Sequence, residues 1–225
     1  MGTHVYFDGF NFYYRLFKND RRKLPLPVHY KWLNLLKLSK RPAPGDTIDW
    51  IGYFTAYVRQ TTHDPDQHHR QRAYIEALRT IPCLDVVPGN FQPARKRGVP
   101  CRPGATATEL FDTFEEKGSD VNLAVRLVWD AARGAFSQAL VISNDSDLRE
   151  AVRIVTAEVG KPVHIFSPDL TVNNALRNVA TTATSLDTKL FKECLFDETL
   201  TNVDGVVISR PPAWSAPKRG RSPLT

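Results

Sequence analysis

Three cysteines, Cys83, Cys101 and Cys194, are spread over 225 residues. None forms a CxxC pair, which excludes a zinc knuckle and a disulfide framework and points to a reducing, cytoplasmic setting. No apolar run reaches the ~18 residues that a membrane-spanning helix needs. The opening MGTHVYFDG lacks the basic-then-apolar layout of a secretory signal. There is no GxxxxGKS or GxxxxGKT phosphate loop and no GxSxG elbow, so neither P-loop nor nucleophile-elbow chemistry is indicated. His63, His68 and His69 lie together without a cysteine or a fourth ligand nearby, so a solvated helix face is the simpler reading.

Positive charge is abundant, and it is unevenly placed. The net charge is +6. Residues 13–41 hold nine Lys/Arg against Asp20, and the last 16 residues hold four and no acid. Arg95, Lys96, Arg97 and Arg102 stand together, whereas residues 109–120 carry a local charge of −4. Such a surface suits a polyanion such as nucleic acid, or serves as a solubilising face.

Apolar runs alternate with helical periodicity. Strands are expected at 4–7, 47–58, 84–91, 139–143 and 162–167, and helices at about 10–17, 30–39, 64–80, 119–134, 146–160 and 171–180. In the 119–134 helix, Val121, Ala124, Val125, Val128 and Ala132 share the expected core face. Residues 93–106 read as a loop from their Pro and Gly content. Trp32, Trp50 and Trp129 are assigned to the core. The expected class is α/β, with a mainly parallel sheet of about five strands between two helical layers. Residues 1–200 form the expected domain, and 201–225 a basic, Pro/Ser/Arg-rich, disordered tail.

Ligands of such sheets bind at the carboxyl ends of the strands. Asp8 ends the first apolar strand, and a carboxylate there is costly to bury unless it is paired or bound to a cation. Asp145 ends the ALVIS strand, Asp147 follows in the next helical turn, and Asp120 opens the preceding helix. Asn11 lies one turn beyond Asp8. Like charges in one crevice raise each other's pKa, and a divalent cation such as Mg²⁺ relieves them through oxygen ligands. Helix capping is the competing reading for the Ser119–Asp120 and Ser146–Asp147 pairs.

The VYFDGFNFYY opening, followed in order by VVPGNF, KGSDVNLA, SNDSDL and PVHIFSP, resembles the NYN domain, a branch of the PIN-like nuclease superfamily, over residues 3–180. The resemblance implies a PIN-like Rossmannoid fold and a Mg²⁺- or Mn²⁺-dependent nuclease acting on RNA. It implies Asp8, Asn11, Asp120, Asp145 and Asp147 as site residues, the four aspartates holding the metal. Asn144 departs from the family, which commonly has glycine at that place. The expected reaction is endonucleolytic hydrolysis that leaves a 5′-phosphate and a 3′-hydroxyl. Arg59, Arg70 and Arg72, with the basic run Arg95, Lys96 and Arg97, are candidate phosphate contacts. The alternatives are a non-catalytic module that binds RNA or protein, and a nuclease acting on DNA. Homodimerisation is a further expectation.

Overall fold

The computed structural model describes residues 1–18, 25–42, 45–60, 64–100, 104 and 106–216. Among these residues the strands are β1 (Thr3–Asp8), β2 (Ile48–Ala56), β3 (Leu84–Gly98), β4 (Glu109–Lys117), β5 (Gln138–Ile142), β6 (Val163–Ser167), β7 (Thr182–Ser185), β8 (Thr199–Thr201) and β9 (Val207–Ser209). The α-helices are α1 (Gly9–Phe17), α2 (Leu35–Ser39), α3 (Gln67–Arg79), α4 (Ser119–Ala132), α5 (Arg149–Arg153) and α6 (Asn174–Arg177).

The main sheet has seven strands in the order β4-β3-β2-β1-β5-β6-β7, more than the five expected. Only β4 runs antiparallel. All six residues of β1 are buried because it lies at the centre, between β2 and β5. Its alternation feeds two cores. Val5 and Phe7 pack with Phe12 and Leu16 of α1 and Leu78 of α3, while Tyr6 packs with Leu123 and Leu127 of α4 and Val152 of α5. The result is a three-layer α/β/α fold with helices on both sheet faces. No helix among the described residues is long and apolar enough to cross a membrane.

Three expectations are corrected. The expected loop at 93–106 is strand through Gly98, because β3 pairs residue by residue with β4, Arg95 opposite Asp112 and Gln92 opposite Glu115. Residues 101–103 and 105 of that loop lie outside the described residues. The inward face of α4 is Leu123, Leu127, Asp130 and Ala131, whereas Val121, Val125 and Trp129 are 59–63% exposed. Finally, residues 201–216 are not a disordered tail. β8 and β9 form a ribbon, and Trp214 packs against Trp32 and Tyr74 with ring centroids 6.4 and 6.2 Å apart. The remaining tail, 217–225, lies outside the described residues.

Asp130 explains the unexpected face of α4. It is fully buried, and it accepts hydrogen bonds from the Tyr6 hydroxyl at 3.0 Å and from Nε of Arg126 at 2.8 Å. Nε of Arg133 at 3.1 Å and its terminal nitrogen at 2.8 Å complete the cage. Burial alone would raise the carboxyl pKa, and these donors overcome that and hold it below the usual value. Asp130→Asn keeps the volume but weakens the charge-assisted bonds, at a cost of about 1–3 kcal/mol. A melting temperature lower by roughly 3–10 °C is the expected result in a thermal scan. An unchanged value would show that the cage contributes nothing to stability.

Candidate active site at the carboxyl edge of the sheet

β1 delivers Asp8 to the carboxyl edge, where α1 begins at once. Gly9 is required at the junction: a Cβ there would lie 2.7 Å from the Phe54 carbonyl oxygen and 2.9 Å from the Tyr53 ring. Asp8 is 5% exposed. One carboxylate oxygen caps α1 by accepting from the Asn11 N–H at 3.0 Å, and the other accepts from the Ser143 hydroxyl at 2.9 Å. Burial pushes the Asp8 pKa up to about 6. The two hydrogen bonds oppose the rise, and the charges of Asp145 and Asp120 add to it.

Ser143 couples two of the segments. Its oxygen, while its hydroxyl donates to Asp8, accepts from the Asp145 N–H at 3.1 Å. Asp145 is half-buried, and its carboxylate caps the Ser146–Leu148 turn by accepting from the Asp147 N–H at 3.1 Å. Asp147 itself is exposed. Asp120 is half-buried in the first turn of α4. The cap of α4 comes from Glu116, whose carboxylate accepts from the Ser119 N–H at 2.9 Å. The chain reverses before it through Gly118, at φ 93°, a value suited to glycine.

Asn11 is half-buried, and its side-chain oxygen accepts from the Asn144 N–H at 3.0 Å, so this amide ties α1 to the end of β5. Asn144 is buried and spans to the segment after β6. Its amide nitrogen donates to Asp169 at 2.9 Å and to the Thr171 carbonyl at 3.1 Å, and its oxygen accepts from the Asn173 N–H at 2.7 Å. Asp169 is also buried, and it pairs with Arg15 of α1 at 3.2 Å. Ser143 and Asp169 do not stand out in the sequence, and Asn144 does so only as a departure from the family pattern. Asp169 follows β6 directly, so the rule that ligands collect at strand carboxyl ends would have found it.

The cationic candidates are scattered. Arg59 is exposed and lies over the Phe114 ring of the β3–β4 hairpin at 4.6 Å. Arg70 makes a two-pronged pair with Asp64 at 2.5 Å, and Arg72 is exposed. Arg95 and Lys96 are paired across the hairpin with Asp112 at 2.7 Å and Glu115 at 2.6 Å, and Arg97 is exposed beside them. The basic run is therefore half of a charge-matched hairpin.

Asp8, Asp120 and Asp145 make an all-oxygen donor set, which suits a hard divalent cation, and each acid raises the energy of charging Asp8. Among the described residues no three Asp, Glu, His or Cys side chains stand close enough to hold an ion as they are. The chemistry of the set fits such a cation. The ligand arrangement is not preformed, and both oxygens of Asp8 are engaged by donors of the chain.

A crystal structure of a Vibrio parahaemolyticus protein of unknown function superposes with a TM-score of 0.51, covering 83% of this chain and 93% of that one. At 16% identity this is a likeness of fold. The 6-hydroxy-3-succinoylpyridine 3-monooxygenase HspA of Pseudomonas putida is 27% identical over 192 residues, 74% of this chain. The chain spans only 59% of the length of that relative. Residues 4–187 match the NYN domain, taking in β1 with Asp8, the α4 segment with Asp120 and the β5 edge with Asp145. By that match over most of its length, the chain belongs to the NYN domain family of PIN-like nucleases.

Proposed function

We propose that the protein is a divalent-metal-dependent endoribonuclease that hydrolyses RNA and leaves a 5′-phosphate and a 3′-hydroxyl. The observation that carries this reading is the buried Asp8 carboxylate, linked through Ser143 to the Asp145 backbone, its pKa raised by burial and further by the charges of Asp145 and Asp120. A pair of clustered acids repels phosphate, so a binding-only site for RNA gains nothing from it. Asp8, Asp120 and Asp145 would hold Mg²⁺ or Mn²⁺, with exposed Asp147 at the periphery. Bound there, the cation supplies Lewis acidity at the phosphate and lowers the pKa of an attacking water.

The chain's own residues set the geometry. Ser143 orients Asp8, and the Asn11–Asn144 bond fixes α1 against β5. Arg59, Arg72 and Arg97 would meet the phosphate backbone, while Arg70, Arg95 and Lys96 would first have to share or leave their acidic partners. The test incubates labelled RNA with wild type and with Asp145→Asn, in Mg²⁺ or Mn²⁺. Metal-dependent fragments with 5′-phosphate ends, lost in the variant, are expected. Equal cleavage by both proteins would overturn the assignment, and cleavage of DNA alone would correct the substrate.

A second reading has one observation in its favour. The Pseudomonas relative is named for a hydroxypyridine substrate, and an aromatic-lined cavity opens here beside Gly9. On that reading the chain acts on a small heteroaromatic compound.

A further inference from the structure

The cavity beside Gly9 lies between α1, the Val28–Trp32 turn, the end of β2, and α3, with Trp214 closing one side. Its volume is about 170 Å³. A cavity of about 150 Å³ is known to hold one benzene, so this one matches a single six-membered ring and is small for a fused pair. Its walls include the rings of Tyr13, Phe17, Tyr30, Tyr53 and Trp214. Aromatic walls alone are what an ordinary core presents.

The charge distribution distinguishes this cavity from a core. Lys31 points into the ring cluster and donates to the Tyr13 hydroxyl at 3.0 Å. Its ammonium stands 5.0, 5.6 and 6.0 Å from the ring centres of Tyr13, Phe17 and Trp214. Its carboxylate neighbour is Asp64, which also lines the cavity and attracts it without a direct contact among the described ion pairs. Arg70, which also lines the cavity, has Asp64 as its partner, and Lys18 adds a further cation at the rim. Three cations, Lys18, Lys31 and Arg70, thus share one carboxylate, Asp64, in the wall of this cavity, and a ligand's negative charge would balance the excess.

We propose that this cavity binds a single planar ring bearing an anionic group, with the ring between the aromatic walls and the anion on Lys31. Two sources offer that chemistry: a pyrimidine nucleotide, or a free heteroaromatic carboxylate. The nucleotide source rests on the nuclease reading, with the base seated one residue from Asp8. The binding site itself stands on the cavity alone.

The experiment measures binding to the full chain by calorimetry without divalent metal, so a failure of cleavage has no bearing on it. The probes are uridine 5′-monophosphate, pyridine-3-carboxylate, adenosine 5′-monophosphate and neutral benzamide. Binding of either single-ring anion, weakened about tenfold or more by Lys31→Met and largely kept by Lys31→Arg, is the expected result. Preference for the nucleotide or for the carboxylate identifies the source. If Lys31→Met does not fold, Tyr13→Phe removes the hydroxyl that positions the ammonium, and a loss of about fivefold is expected. No heat with either anion, equal binding by wild type and Lys31→Met, or benzamide or the purine nucleotide binding as tightly would overturn the proposal.

Discussion

Asp8→Asn is expected to abolish metal-dependent RNA cleavage, by about a thousandfold, while stabilising the metal-free chain at neutral pH. The first half follows from the proposed role. Loss of a carboxylate that holds the cation removes several kcal/mol of transition-state stabilisation, and about 4 kcal/mol corresponds to three decades in rate. The second half follows from burial. The folded chain raises the Asp8 pKa from 3.8 to about 6. A raised carboxyl pKa means that the folded state binds the proton more tightly than the unfolded state. Above pH ~6 the buried charge therefore costs on the order of 3 kcal/mol, and the cost is relieved as pH falls from ~6 toward ~4. Asparagine keeps the acceptor that caps α1, and the Ser143 hydroxyl turns to accept from the new amide. Thermal melts in EDTA at pH 5 to 8 are the check. Wild type gains stability relative to the variant as pH falls through about 6, and the variant is the more stable at pH 7. Parallel pH profiles, or full activity in the variant, would refute the account.

Asn144→Ala is expected to lower stability by about 2–4 kcal/mol and to weaken cleavage at least tenfold. The substitution removes three side-chain hydrogen bonds at one buried position. It leaves the Thr171 carbonyl and the Asn173 N–H without that partner, and it leaves Asp169 more dependent on Arg15. For a chain of this size the melting temperature falls by roughly 5–15 °C. The activity loss follows because the Asn144 backbone is what Asn11 grips, so the ends of β5 and α1 lose a common fixed point. Asn144→Gly behaves like alanine in stability, since neither side chain reaches Asp169. A melting temperature within about 1 °C of wild type would show that solvent replaces this hub without loss.

The parts of the fold that were legible share one property: a single physical demand set their pattern. β1 and β5 are buried on both faces, so they read as unbroken apolar runs, and a charge at their carboxyl ends stood out as Asp8 and Asp145. Helical periodicity misassigns the face of α4 because Asp130 lies inward, held by Arg126 and Arg133 one turn away on the same helix and by the distant Tyr6 of β1. With an acid on the core side and Val121 and Val125 on the outer side, helical periodicity pointed the wrong way. The β3–β4 hairpin was hidden for a related reason. Pro93 sits opposite Phe114, and the Arg95 and Lys96 charges are balanced by Asp112 and Glu115, which are distant along the chain. Of the candidate site, the carboxylates were visible from strand ends. The roles of Ser143 and Asn144 were not, because they lie in hydrogen bonds between segments that sequence spacing does not encode, whereas Asp169 stands at a strand end that the same rule covers.

The central place of β1 also sets a schedule for biosynthesis. The Ser143 hydroxyl that Asp8 accepts from is made 135 positions after it. At ~5–20 residues per second, the ribosome adds that partner on the order of ten seconds afterwards. Through that interval β1 lacks one of its two neighbouring strands, and Tyr6 lacks Leu123, Leu127 and Asp130. The nascent chain thus carries an apolar strand with one open edge, the state in which holding chaperones engage a polypeptide. β1 is enclosed only when β5 arrives, and the acid at its tip acquires its setting in the same step.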